Sequence, residues 1–334
     1  MTAHIVTWFH TDDAEQGSYA QVSGDSRTEQ FRDVYRRCIA TFFASARRTN
    51  PDARLELVVN APWDASASTI ANEVQALLTR LHVTISIVPY VSEPPQTFTA
   101  KWRNQFYVLD VLDHLREGPK DDLCLVLDSD IVWAGQQSVD TLWSTLARAE
   151  ITTMPIGYPR TKVVNGASCE QISALTSTPH VYYCGGEFVS VRRGSIGRLL
   201  GAARSARDQL NSHHHDNPNF AFEEAHVLSV AYAKLGAAPL PHPAPIRRMW
   251  TQPLKPHNTV PEDLERALWH VPAEKKYGLR RMYRDLSKRG VDWDGMADTQ
   301  WSKYLSRRLG VPTNTTMKWI SDVTTALYAR LRRR

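Results

Sequence analysis

Hydrophobic and polar positions along the first 130 residues follow two rhythms that take turns. Short apolar or alternating runs read as strands at residues 4–9 (HIVTWF), 54–61 (RLELVVNA), 83–90 (VTISIVPY) and 123–128 (LCLVLD). Between them the apolar residues recur at helical spacing. Phe31, Val34, Tyr35, Cys38, Ile39 and Phe42 mark a helix over about 27–48, and residues 67–82 form a second. A third, over residues 101–115, carries Trp102, Phe106, Leu109 and Leu112 on one stripe. Strand–helix alternation of this kind predicts an α/β fold with a mostly parallel sheet and helices on both faces. Beyond residue 150 the rhythm loosens. A strand is read at 180–193, helices near 195–210 and 219–235, and an extended proline-rich segment at 239–248. The last stretch, 316–334, sets Met317, Ile320, Val323, Leu327 and Leu331 along one helical face and ends in arginines.

The strand 123-LCLVLDSDIVWAG-135 ends in two carboxylates, Asp128 and Asp130, which point to the same side of an extended chain. Open α/β sheets bind ligands at the carboxyl ends of their strands. Two carboxylates there suit a hard cation, Mn²⁺ or Mg²⁺, shared with substrate phosphates. A solvated Asp-rich turn is the plain alternative. A haloacid-dehalogenase-like phosphatase using Asp128 and Asp130 also begins this way. It would need a later lysine and a downstream acidic pair, and Asp292 with Asp294 is a poor candidate for that pair.

Three further segments carry candidate chemistry. In 182-YYCGGEFVSVRRGS-195 the paired glycines Gly185 and Gly186 interrupt a strand pattern and mark a bulge or a close backbone approach. In 220-FAFEEAHVLSVAYAKLG-236, Glu224 falls in line with Val227, Leu228, Ala231 and Leu235, while Glu223 and His226 share the adjoining face. A carboxyl on an apolar stripe is costly unless paired or functional. A structural glutamate capping a loop is the alternative. In 268-LWHVPAEKKYGLRR-281, His270 is a further candidate metal ligand, and two lysines and two arginines suit phosphate oxygens. A solvated basic turn would have the same composition.

Composition narrows the classes. With 42% hydrophobic and 22% charged residues, the 334-residue chain is that of an ordinary soluble protein. No apolar run is long enough to cross a membrane, and no basic-then-apolar N-terminal signal is visible. Four cysteines without a CxxC pair imply a reducing, cytoplasmic setting. The formal net charge of +5 hides an asymmetry. Residues 275–334 hold fifteen Lys and Arg against five Asp, so the remainder is net acidic. That basic C-terminal helix predicts either a peripheral anchor on an anionic membrane or a helix packed on the domain. Nucleic acid is not expected as a partner, because the basic residues lack interleaved aromatic platforms.

Together these segments resemble a GT-A (Rossmann-like) nucleotide-sugar glycosyltransferase. They are most similar to the retaining family that contains the blood-group A/B and α-1,3-galactosyltransferases. That family's Trp-Gln-Asp helix start corresponds to 101-KWRNQFYVLD-110, and its Asp-Val-Asp to 128-DSDIVW-133. Its Asp-Glu-Ser-His-Leu-Asn helix is similar to 223-EEAHVLS-229, and its Lys-x-Tyr-x-x-x-Arg region to 275-KKYGLRR-281. The resemblance covers residues 1–285, with a nucleotide-binding half over about 1–135 and an acceptor half over about 136–285. Residues 286–334 form a basic helical extension outside it.

The resemblance implies a metal-dependent transfer of a hexose from a UDP-sugar to a glycan or lipid-linked acceptor, with retention. Asp128 and Asp130 would hold Mn²⁺ and the diphosphate. Lys101, Arg103, Phe9 and Ser129 would lie beside the donor, and Lys276 and Arg280 would clamp the leaving diphosphate. Glu224, with Glu223 beside it, would face the anomeric carbon. Gly185, Gly186, Glu187 and His226 would border the sugar or acceptor pocket. Two departures stand out. A metal-ligating histidine such as His270 belongs to the glycogenin and lipopolysaccharide galactosyltransferase type rather than the blood-group family, and the GGEF stretch matches neither. An inverting enzyme would instead use Glu187, Glu223 or Glu224 as the base. A non-catalytic nucleotide-sugar-binding protein would keep the pocket without the chemistry.

Overall fold

A computed structural model describes residues 2–12, 22, 24–95, 97, 98 and 102–331, which leaves Lys101 outside the described residues. The first half alternates as the periodicity predicts. The elements are β1 (Ala3–Phe9), α1 (Glu29–Thr49), β2 (Arg54–Val59), α2 (Thr69–Arg80), β3 (Val83–Ile87), α3 (Tyr107–His114) and β4 (Leu123–Leu127). Thr28 and Ser68 start the first two helices by accepting hydrogen bonds from the amides of Phe31 and Ala71. The helix read over residues 101–115 opens as a short 3₁₀ turn, Arg103–Phe106, before the α-helical part. The strand read to residue 90 stops at Ile87, short of Pro89, which cannot donate to the ladder.

The second half supplies β5 (Ile131–Trp133), α4 (Gln136–Leu146), β6 (Ile151–Thr153), β7 (Val163–Val164), β8 (Ala167–Ser168), α5 (Cys169–Leu175) and β9 (Phe188–Arg192). These are followed by α6 (Ile196–Asp216), α7 (Glu224–Leu235), β10 (Ala238–Pro239), β11 (Ile246–Arg248), β12 (Leu268–His270), α8 (Gly278–Lys288), α9 (Asp298–Leu309) and α10 (Thr316–Leu331). The main sheet has the order β10-β6-β9-β4-β1-β2-β3. Only β9 runs antiparallel to its neighbours, so the sheet is mixed and mostly parallel. Helices cover both faces, and every residue of β4 is buried, which is why its sequence is an unbroken apolar run.

The strand read over 180–193 is ordered as β9 only from Phe188. Before it, Cys184 makes an isolated bridge to Pro155, and the Gly185 amide bonds to the Met154 carbonyl. A second, three-stranded sheet, β11-β12-β5, crosses the carboxyl end of β4. Residues after 285 continue the packing. Trp301 is fully buried with Leu305 and Leu309, and its indole N–H donates to the Trp133 carbonyl at 3.1 Å.

Helix α10 packs on the domain through polar side chains and leaves apolar ones outside. Met317, Trp319, Ile320 and Leu327 are exposed, while Lys318 and Asp322 face inward. The Lys318 ammonium lies 2.9 Å from Glu274 and 2.6 Å from Asp322, and Arg281 reaches Asp322 at 2.5 Å. Glu274 in turn accepts from Thr251 Oγ1 and from the Gly278 amide at the start of α8. Among the described residues no helix is long and apolar enough to cross a membrane. Lys318→Met would leave Glu274 and Asp322 buried around one remaining guanidinium. Urea unfolding should show a loss of about 3–5 kcal/mol; a loss under 1 kcal/mol would mean the cluster does not hold α10.

Candidate metal centre

Strand register assembles the site. β12 pairs antiparallel with β5, setting His270 opposite Ile131, and parallel with β11, setting Arg248 beside His270. The Val271 amide bonds to the Asp130 carbonyl, and the Asp128 amide to the Glu187 carbonyl. Residues from four distant stretches therefore converge where β4 ends.

Asp128, Asp130 and His270 form a group whose ligand atoms all lie within 4.8 Å of one another. His270 Nε2 is 3.4 Å from Asp130 and 3.9 Å from Asp128, and it is buried without a hydrogen-bond partner among the described residues. Its Nδ1 is held at 3.1 Å by Glu187, which Arg248 grips through two bonds of 2.8 and 2.7 Å. This chain orients the imidazole as a carboxylate orients a metal-bound histidine. Lys275 pairs with one oxygen of Asp130 and leaves the other facing His270. Asp128 is the more open of the two aspartates, with 28% of its side chain accessible. Two carboxylates and an imidazole nitrogen with no other partner make a ligand set that fits Mn²⁺, and Mg²⁺ through its oxygens.

Glu223 and Glu224 complete the cluster. Glu223 precedes α7 and accepts from Tyr183 Oη and, at 2.5 Å, from Asn165 Nδ2. Glu224 is buried at the first position of α7, with Oε2 unbonded among the described residues. The paired glycines make room for acids. A Cβ on Gly185 would lie 2.2 Å from Glu187 Oε2, and one on Gly186 would lie 2.3 Å from Glu224 Oε1. The close approach expected at 185–186 is thus made by these two carboxyl groups.

Among the described residues, five carboxyl groups gather around two permanent cations, Lys275 and Arg248, and one histidine, and their proton affinities split accordingly. Burial and the Asp130 charge push Asp128 up to about 6. Burial also opposes ionisation of Asp130, but Lys275 and His270 outweigh it and hold that carboxyl well below the usual range. Glu187 is likewise held low, with Arg248 and His270 overcoming burial. For His270, burial works downward, yet Asp130 and Glu187 raise it to about 9. Glu224 is raised well above the usual range by burial, Glu223 and Asp128, and Glu223 is raised by burial. A metal ion competes with the proton on His270 for the same nitrogen.

The other expected site residues have varied surroundings. Phe9 is buried against Tyr35 and Trp63, and Ser129 lies buried between the two aspartates. Arg103 donates to the carbonyls of Pro94, Pro95 and Phe98 and holds that loop. His226 is fully buried, accepts from the Glu223 amide through Nδ1, and is lowered to about 4 by burial, so it caps α7 as a neutral ring. Lys276 and Arg280 line a separate cavity whose walls do not include Asp128, Asp130 or His270. Asp292 and Asp294 are exposed in a turn where the Asp294 amide bonds to Asp292. Arg248, Lys275, Tyr183 and Asn165 are the site residues that sequence reasoning missed. For Lys275 the signal was one residue away, in the same basic stretch.

No protein-family model and no curated protein matches the chain. Solved structures are similar to it in fold. The galactosyltransferase LgtC in complex with donor and acceptor sugar analogs is 14% identical with a TM-score of 0.47, over 90% of this chain and 99% of that one. An active-site mutant of LgtC is also 14% identical, with a TM-score of 0.44 over 80% and 86%. The apo form of the bifunctional glycosyltransferase WbbM is 11% identical with a TM-score of 0.45, over 72% of this chain and 39% of that one.

The raised Glu224 carboxyl makes a stability prediction with a definite sign. Its folded form keeps a proton that the unfolded chain releases near pH 4.5, so stability falls as pH rises from there toward the folded value. Glu224→Gln mimics the protonated form and escapes that fall. In a chelating buffer the variant's melting temperature should match the parent's near pH 4.5 and exceed it by a margin that grows as pH rises from there toward the folded value. A parent that is more stable at every pH would mean that Glu224 is favourably ionised.

Proposed function

We propose that this protein is a metal-dependent glycosyltransferase that moves a hexose from a UDP-sugar to a glycan or lipid-linked acceptor, with retention at the anomeric carbon. The observation that carries the reading is the group Asp128, Asp130 and His270 at the end of β4, with Glu224, packed against Gly186, near enough for the Asp128 charge to act on it. Asp128, the free oxygen of Asp130 and His270 Nε2 would hold the ion, Mn²⁺ in this reading. Its chemistry would be Lewis-acid neutralisation of a leaving diphosphate.

The chain's own groups divide the remaining work. Glu187 and Arg248 fix the His270 ring and hold its Nδ1 side. Lys275 adds a positive charge beside Asp130, on the side where leaving-group charge would build. Glu224 rests uncharged because burial and its acidic neighbours disfavour ionisation. Positive charge developing at an anomeric carbon would favour its ionised form, as the retaining reading requires of a nucleophile or stabiliser. Glu223 is already engaged by Tyr183 and Asn165 and serves as the orienting neighbour. A lipid-linked acceptor accords with the exposed apolar residues of α10 and the arginines that follow it in sequence.

A panel of UDP-hexoses, incubated with Mn²⁺ and no acceptor, should show slow donor hydrolysis by the parent chain. Asp130→Asn should lower that rate by about two orders of magnitude. Glu224→Gln should lower it comparably with little change in donor affinity. Equal losses in rate and affinity would make Glu224 a binding residue. Tight donor binding with no hydrolysis or transfer would favour the non-catalytic sugar-nucleotide binder instead.

A further inference from the structure

A second concentration of charge lies on the other side of the short turn that follows His270. Two adjacent residues of the 3₁₀ turn Pro272–Lys276 part company there. Lys275 turns to Asp130, and Lys276 lines a cavity of about 310 Å³ between α1, α8 and α10. Five more cationic side chains line it, Arg37, Arg280, Arg281, Arg284 and Lys288, together with the hydroxyl-bearing Ser321 and Thr325 of α10. Among the described residues no carboxylate lines it.

The nearby acids are committed elsewhere. Asp322 pairs with Arg281 and Lys318, Glu73 accepts from Tyr283, and Asp33 pairs with Arg36. The side chains of Arg37, Arg280, Arg284 and Lys288 make no ion pair or hydrogen bond with any described residue. Placing these four like charges together with no counter-charge among the described residues opposes folding, and burial together with the Arg280 charge pushes the Arg37 guanidinium down. Guanidinium groups present flat, paired donors that match phosphate oxygens. A cavity of this volume stands at the lower end of ligand-sized pockets, roughly 300–1,000 Å³.

We propose that this cavity binds a di- or polyphosphate group at a site separate from the metal centre. The group could come from a soluble phosphate compound or from a lipid headgroup; both offer the same oxygens. Because Ser321 and Thr325 belong to α10, an occupied cavity ties that helix to α1 and α8, and binding should raise thermal stability. The inference does not rest on the transferase reading.

Calorimetry of the full chain with inorganic pyrophosphate in a chelating buffer tests it. Parent and Asp130→Asn should bind with the same affinity, weakening as salt is raised. A double variant, Arg280→Gln with Arg284→Gln, should bind about tenfold more weakly or worse. Both arginines are exposed, so the variant should remain folded, and a circular dichroism melt checks this. No binding by the parent, unchanged binding by the double variant, or loss of binding in Asp130→Asn would each overturn the proposal. Vesicles of phosphatidylcholine with and without diacylglycerol pyrophosphate then separate the sources. Cosedimentation that needs the pyrophosphate lipid, and that free pyrophosphate competes away, assigns a lipid headgroup. Pyrophosphate binding without cosedimentation assigns a soluble ligand.

Discussion

The end of β4 must accommodate more negative charge than the described cations around it neutralise. Asp128, Asp130, Glu187, Glu223 and Glu224 are all poorly accessible there, and among the described residues the permanent cations paired with them are Lys275 and Arg248. Buried charge without compensation is expensive, and proteins relieve it by pairing, by protonation or by binding ions. All three devices can operate in this cluster. Asp130 and Glu187 are paired and stay ionised, Asp128 and Glu224 are driven toward protonation, and the unbonded His270 nitrogen faces the gap between the aspartates. A divalent cation at that gap would relieve the rest.

Holding such a cluster in place constrains the scaffold around it. The small sheet β11-β12-β5 fixes Arg248, His270 and the acidic pair in register, so the Arg248–Glu187–His270 chain is set by backbone pairing rather than by loop geometry. Gly185 and Gly186 give up their side chains so that two carboxyl groups can pass the backbone. Behind the turn that carries Lys275, the buried Glu274–Lys318–Asp322 cluster secures α10 and the start of α8. Rigidity at the site is thus inherited from β pairing on one side and from buried ion pairs on the other.

Much of this was legible in the sequence because it follows from periodicity. The first four strands, the helices between them and a mostly parallel sheet follow from alternating apolar runs, and β4 announces the site because its apolar run stops at Asp128. Arg248 was not legible. It closes a proline-rich stretch, and only the parallel pairing of β11 with β12 sets it beside His270. Lys275 and Lys276 are neighbours in sequence, and only the turn's geometry sends one to Asp130 and the other to the basic cavity. In α10 the apolar stripe is real but faces outward, because buried Glu274 needs a counter-charge and Lys318 supplies it.

Electron paramagnetic resonance of a Mn²⁺ titration tests, without depending on turnover, whether Asp128, Asp130 and His270 act as one metal site, since free and bound Mn²⁺ give distinct signals. One ion per chain should bind, more tightly when UDP is present and at least about tenfold more weakly after His270→Ala. An absence of stoichiometric binding, or an affinity that His270→Ala leaves unchanged, would rule such a site out.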